Sequence, residues 1–216
     1  MRHHFLAVFL SFAAGVGSVQ ASPDIQPTVA ALVSPQPDAS EQIKAYGFTL
    51  APLSFVKFCM SHGEECKPGE SNIEPDTLSL VQLGVINREV NRAIAPQRKP
   101  TEPLRANWTI APSAGDCNDY AVTKRHRLIA AGWPSQRLLL AVVITPTGQG
   151  HLVLVARTAQ GDMVLDNLSD TVKPWQKTSF EWVSMQSPDN PRFWIAVGER
   201  GRQRQQKFEA MAANFN

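Results

Sequence analysis

Residues 137 to 167 read "RLLLAVVITPTGQGHLVLVARTAQGDMVLDN", and the fold class follows from this stretch. Apolar runs at 137–144, 151–157 and 163–167 are separated by "TPTGQG" and "TAQGD". Short runs rich in Leu, Val and Ile are strand signals, and glycine-containing turns at this spacing join antiparallel neighbours. A further strand is expected at "FWIAV", residues 193–197.

Helical patterns precede the strands. From Cys117 the chain reads as a helix, with Asp116 just before it, Asp119 in its first turn, Lys124, Arg125 and Arg127 further on, and Gly132 as a stop. Acids early and bases late complement the helix dipole. Upstream, "TLSLVQLGVINREVNRAIA" (77–95) spaces Leu80, Leu83, Val90 and Ile94 as one buried helical face, and Pro96 and Pro100 end it. Helices followed by antiparallel strands define an α+β domain.

The whole chain has 216 residues, 43% hydrophobic and 19% charged, which suits one globular domain with a sizeable core. A net charge of +2 with scattered basic residues gives no footprint for nucleic acid, and no such partner is expected. Arg2, the apolar run from Phe5 to Ala14 and the small residues Val19 and Ala21 have the layout of a secretory signal peptide over 1–21. The run is too short to span a bilayer comfortably, so no stable membrane insertion is expected after cleavage. Residues 22–44, with Pro23, Pro27, Pro35 and Pro37, read as a flexible leader. The domain itself is expected over 45–198, and the polar tail 199–216 as a frayed helix or disordered. The expected address is the periplasm or the cell exterior, an oxidising space.

There the three cysteines divide unevenly. Cys59 and Cys66, seven positions apart in "FCMSHGEECKPG", are placed to close a small disulfide loop. The competing account is a metal site at Cys59, His62 and Cys66, but this spacing matches no common zinc pattern and supplies only three ligands. Cys117 is left over, at the start of a helix.

A hairpin that turns between Val155 and Val164 brings positions near His151 opposite positions near Asp166. Asp166 then fixes the tautomer of His151, and Cys117 supplies the nucleophile that such a pair activates. The helix end favours the thiolate, whereas the flanking Asp116 and Asp119 oppose it unless a cation neutralises them or they turn away from the sulfur. Taken singly, each residue has a plainer account: a small buried cysteine, a hydrogen-bonded core histidine, an Asp-Asn turn. Their order and placement together carry the catalytic reading.

"GDCNDYAVTKRHRLIAAGWP", "GHLVLVART" and "GDMVLDNL", in this order, resemble the bacterial transglutaminase-like cysteine proteinase family. The resemblance runs from about residue 45 to 197 and includes "FCMSHGEEC" and "MQSPDNPRFW". It implies a papain/transglutaminase-like core in which N-terminal helices pack on an antiparallel β-sheet. Cys117 would be the nucleophile, His151 the general base and acid, and Asp166 the group that orients His151. It further implies calcium beside the cysteine at Asp116, Asn118 and Asp119, with no organic cofactor. Calcium-binding members usually carry Glu at the position of Asn118, so one charged oxygen ligand is missing here. Trp108 stands where such proteases carry an exposed docking aromatic, and a structural aromatic explains it equally well. The implied partners are a protein substrate in the cell envelope, of the surface-adhesin kind, and an inner-membrane receptor that senses a cyclic dinucleotide. The expected activity is therefore that of a periplasmic or secreted cysteine peptidase. The alternatives are a transglutaminase or amidase using the same triad, and a non-catalytic periplasmic binding protein in which Cys117 is merely buried.

Overall fold

The strands expected from the opening stretch form the middle of a seven-stranded sheet. The computed structural model describes residues 42–69, 80–100, 102 and 105–213. The expected signal peptide and nearly all of the leader lie outside the described residues. The sheet contains β1 (Ala45–Thr49), β4 (Leu138–Ile144), β5 (Gly150–Thr158), β6 (Gly161–Asp166), β7 (Ser169–Pro174), β8 (Glu181–Gln186) and β9 (Trp194–Val197). Their order is β1-β9-β8-β4-β5-β6-β7, and every pairing is antiparallel. The helices are α1 (Leu53–Ser61), α2 (Leu80–Ala93), α3 (Cys117–Ala130) and α4 (Gly198–Ala213). A two-residue parallel ladder joins β2 (Ala95–Pro96) to β3 (Ala114–Gly115), just ahead of α3. The molecule is α+β, with helices packed on an antiparallel sheet.

Side chains alternate across a strand, so the apolar runs of β4 and β5 feed two cores. Leu138, Leu140, Leu152, Leu154 and Leu165 face the side that carries α1, α2 and α3, where they meet Phe55, Leu83, Val90, Tyr120 and Leu128. Leu139, Ala141, Val143, Val153, Val155 and Val164 face the other side, with Trp182, Met185 and Ile195. Leu83 and Leu128 are fully buried, and burial of a leucine side chain contributes about 1.5–3 kcal/mol. The polar tail is not frayed at its start: it forms α4, which packs on β8 and β9. Gly201 allows this approach, since a Cβ there would lie 2.4 Å from the Val183 carbonyl oxygen.

Cys59 in α1 and Cys66 at the end of a 3-10 turn are joined as a disulfide, with Cα atoms 5.7 Å apart. His62 between them stacks on the Phe58 ring, at 4.7 Å between centroids. Both sulfurs are consumed by the bond, so the competing three-ligand metal site is ruled out. From the sequence Arg125 reads as a late base that complements the helix dipole. Instead it is 1% exposed and bonds the Glu65 carboxylate, the Glu65 carbonyl and the Leu138 carbonyl, tying α3 to the disulfide loop and to β4. Among the described residues, no helix is long and apolar enough to cross a membrane.

Candidate active site

Asp116 caps α3, so Cys117 becomes the first helical residue and its thiol sits at the positive end of the helix dipole. Asp119 completes a capping box by accepting the Asp116 N–H at 2.9 Å. Gly115 makes room for this arrangement, because a Cβ there would fall 2.3 Å from Asp119 Oδ2. Cys117 is half-buried and is the free cysteine among the described residues.

His151 near the start of β5 and Asp166 at the end of β6 are both buried. The ladder pairs Leu154 with Leu165, and continuing it sets Asp166 opposite Val153. His151 is then the diagonal neighbour of Asp166 on the same face. Its Nε2 lies 2.8 Å from Asp166 Oδ1. The ring also hydrogen-bonds Cys117, and Nδ1 is the nitrogen left for that contact. Asp166 is fixed in turn: its Oδ1 accepts the Leu168 N–H at 3.1 Å, and its backbone carbonyl accepts from Asn91 of α2 at 3.1 Å. The hairpin expected from the turn positions thus brings His151 and Asp166 together, and the start of α3 sets Cys117 against the imidazole.

Burial by itself would drive the proton off His151. The hydrogen bonds to Asp166 and Cys117 and the negative charges of both outweigh burial and push His151 up to about 9. Burial would likewise raise Asp166, yet the His151 hydrogen bond and charge, the Leu168 N–H and the Lys124 charge hold it below the usual carboxylate range. The pair is therefore an imidazolium held by a carboxylate, the partner that a reactive thiolate requires. The Phe180 ring covers the imidazole at 5.7 Å between centroids.

Cys117 and His151 open into a cleft of about 590 Å³ bordered by Pro52, Ser54, Arg98, Lys99, Trp108 and Gln149. Trp108 is only 6% exposed and packs against Phe55 and Phe58 at 5.9 and 6.1 Å between centroids. It is a core aromatic with one edge on the cleft, not an exposed docking residue.

The acids beside the cysteine are already committed. Asp119 is fully buried; its Oδ1 accepts from Lys99 Nζ at 2.8 Å and the Thr109 N–H at 2.8 Å, and its Oδ2 from Lys99 Nζ at 3.0 Å and the Asp116 N–H at 2.9 Å. A carboxylate offers about four lone-pair sites, and these four contacts use them. Asp116 Oδ1 accepts both the backbone N–H and the side-chain amide of Asn118, so Asn118 turns its donor rather than its carbonyl toward the acid. Among the described residues, no group of three or more His, Cys, Asp or Glu side chains could hold a metal ion. In this arrangement Asp116, Asn118 and Asp119 do not fit a calcium ion, which takes 6–8 oxygen ligands. Lys99 was read from the sequence only as part of the segment that ends α2. Nothing in its local spacing points to Asp119, twenty positions away.

A thiol on a helix start, an imidazole across from it and a buried carboxylate behind the imidazole form the arrangement that thiol-dependent acyl transfer uses. The chain belongs to the bacterial transglutaminase-like cysteine proteinases, a family of cysteine peptidases whose profile matches residues 45–202. Calcium-bound LapG of Legionella pneumophila is similar at 25% identity, covering 55% of this chain and 71% of that one, with a TM-score of 0.44. LapG of the same organism in another structure is similar at 23% identity, covering 63% and 78%, with a TM-score of 0.46. EGTA-treated LapG is similar at 23% identity, covering 55% and 70%, with a TM-score of 0.42. No curated protein matches the chain.

Proposed function

We propose that this cysteine peptidase acts outside the cytoplasm on a protein of the cell envelope, with Cys117 as nucleophile, His151 as acid and base, and Asp166 orienting His151. The observation that carries the reading is His151 itself, which bridges the buried Asp166 carboxylate and the Cys117 thiol at the floor of an open cleft.

The Cys117 thiolate attacks the scissile carbonyl carbon, forming a C–S bond and moving an electron pair onto oxygen. The positive end of the α3 dipole, at which Cys117 stands, stabilises that oxygen. As the pair returns, the C–N bond breaks and the His151 imidazolium gives its proton to the leaving amine. Neutral His151 then takes a proton from water, whose oxygen attacks the thioester. Cys117 leaves as thiolate, the acid product is released, and His151 is again protonated. Asp166 keeps the ring in place through both proton transfers. No step runs through calcium.

The envelope address is supported by the signal-like residues 1–21 and by the Cys59–Cys66 disulfide, a bond that persists in oxidising compartments. An adhesin-like surface protein as substrate and an inner-membrane receptor as regulator belong to the same reading. The test compares surface and released proteins of a wild-type strain with those of a Cys117→Ala strain. A protein cut in the first and intact in the second names the substrate. Identical profiles would sink the proposal.

A further inference from the structure

We infer that the Lys99 ammonium is the resident cation of the cysteine's acidic seat, standing where a divalent ion would stand and making calcium dispensible to the fold of the cleft. The inference rests on the peptidase reading only for the role of Cys117, and its electrostatic content stands on geometry alone.

An ammonium has three donors and no acceptor, and Lys99 finds an oxygen for each. Its Nζ lies 2.8 and 3.0 Å from the two oxygens of Asp119 and 2.5 Å from the Asn107 carbonyl oxygen. A carboxylate and a backbone carbonyl converging on one point are the ligand types that a hard cation selects. Here the point is taken by a covalently attached charge. The Lys99 side chain is 19% exposed and that of Asp119 fully buried, so the ion pair is sheltered from screening on the acid's side.

The lysine is delivered by backbone. Ala95 N–H donates to the Ser113 carbonyl at 2.9 Å and Gln97 N–H to the Gly115 carbonyl at 2.8 Å, so β2 is pinned beside β3 two residues before Lys99. The acid is fixed as well, because Gly115 lets the Asp119 carboxylate lie against the chain and the capping box prevents it from swinging out. Asp116 feels the same balance. Burial and the Asp119 charge raise it, while Lys99 and the Asn118 hydrogen bonds pull it down. Without Lys99, the buried Asp119 carboxylate would lose the cation that touches both of its oxygens, the conflict that "GDCND" presents on paper. Lys99 is therefore a positioning residue, acting on the thiol through Asp119 and Asp116.

The test uses the whole mature chain in excess CaCl2 or in EGTA, with two readings: the melting temperature, and the alkylation rate of Cys117 by iodoacetamide. The expected result is a wild type indifferent to the change on both readings. Lys99→Met should melt lower and alkylate more slowly in EGTA, and CaCl2 should restore its melting temperature by at least about 5 °C, the shift expected when a ligand reaches roughly a hundred times its dissociation constant. Lys99→Arg should behave as wild type, since it keeps the charge. A wild type that loses stability or thiol reactivity in EGTA overturns the inference, as does a Lys99→Met protein that matches wild type in EGTA or ignores CaCl2. Should Lys99→Met fail to fold, the wild-type and Lys99→Arg measurements still decide. Neither reading needs a substrate, so a failed strain comparison would remove the peptidase reading and leave this one standing.

Discussion

His151 carries two opposing influences, and their balance is measurable. Burial works against its positive charge, whereas Asp166 and Cys117 support it strongly enough to set it at about 9 instead of 6.5. The imidazole NMR resonances of His151 should therefore titrate near 9, and in Asp166→Asn the midpoint should fall, because the amide has no charge to offer the imidazolium. In linkage terms, His151 binds its proton more tightly in the folded state than in the unfolded one. Its contribution to stability is complete below 6.5 and is lost as pH rises through about 9. Asp166 works in the opposite sense: its contribution is present above 3.8 and is lost as pH falls through its depressed value. A midpoint for His151 near 6.5 in the wild type would contradict the geometry. The three residues of the proposed triad were legible in the sequence because each sits at a punctuation mark, Cys117 after a capping acid and the other two at hairpin positions fixed by glycine turns. Lys99 and Lys124 were not. Lys124 reads as one of the bases that complement the helix dipole, yet it is 1% exposed, and burial, opposed by the charges of Asp166 and Asp170, lowers it to about 7.

At the scale of elements, the first turn of α3 depends on a glycine that precedes it. Gly115→Ala would drive a Cβ into Asp119 Oδ2, and the backbone on both sides is tied into the β2–β3 ladder. The variant is expected to lose about 1–3 kcal/mol of unfolding free energy in urea, the cost of a disrupted cap and a displaced buried acid, with slower iodoacetamide labelling of Cys117. An unchanged urea midpoint would show that Asp119 moves aside freely. The central strands β4, β5 and β6 and the helix α3 could be read from apolar runs, turns and caps. Strand β1 escaped because "AYGFT" is an exposed edge with little pattern, and β7 because "SDTVKP" is half-exposed and polar. Helix α4 has no broad apolar stripe. It docks partly through Gly198 and Gly201, where the absence of a side chain lets it approach Trp182 and Val183, a signal that composition cannot carry.

At the scale of the molecule, the sheet is covered on both faces, and one loop fastens the helical layer to it. Replacing Cys59 and Cys66 together by Ala should lower the unfolding free energy by roughly 2–3 kcal/mol, as loop-closure entropy for a ring this small implies, measured as a shift in the denaturant midpoint under oxidising conditions. No shift would mean that Glu65, Arg125 and the packing around Phe58 already hold the loop without the bond. That buried ion pair could not have been foreseen, because its two members stand sixty positions apart and each looks like an ordinary surface charge.

The Glu65–Arg125 contact also couples two parts of the chain that lie far apart in sequence. A guanidinium sealed inside a protein without its carboxylate costs about 3–5 kcal/mol, so α3 gains little by docking before residues 59–66 have arrived. The bridged loop and the helix that starts at Cys117 thus stand or fall as one unit, so damage to the loop is expected to reach a thiol that it never touches.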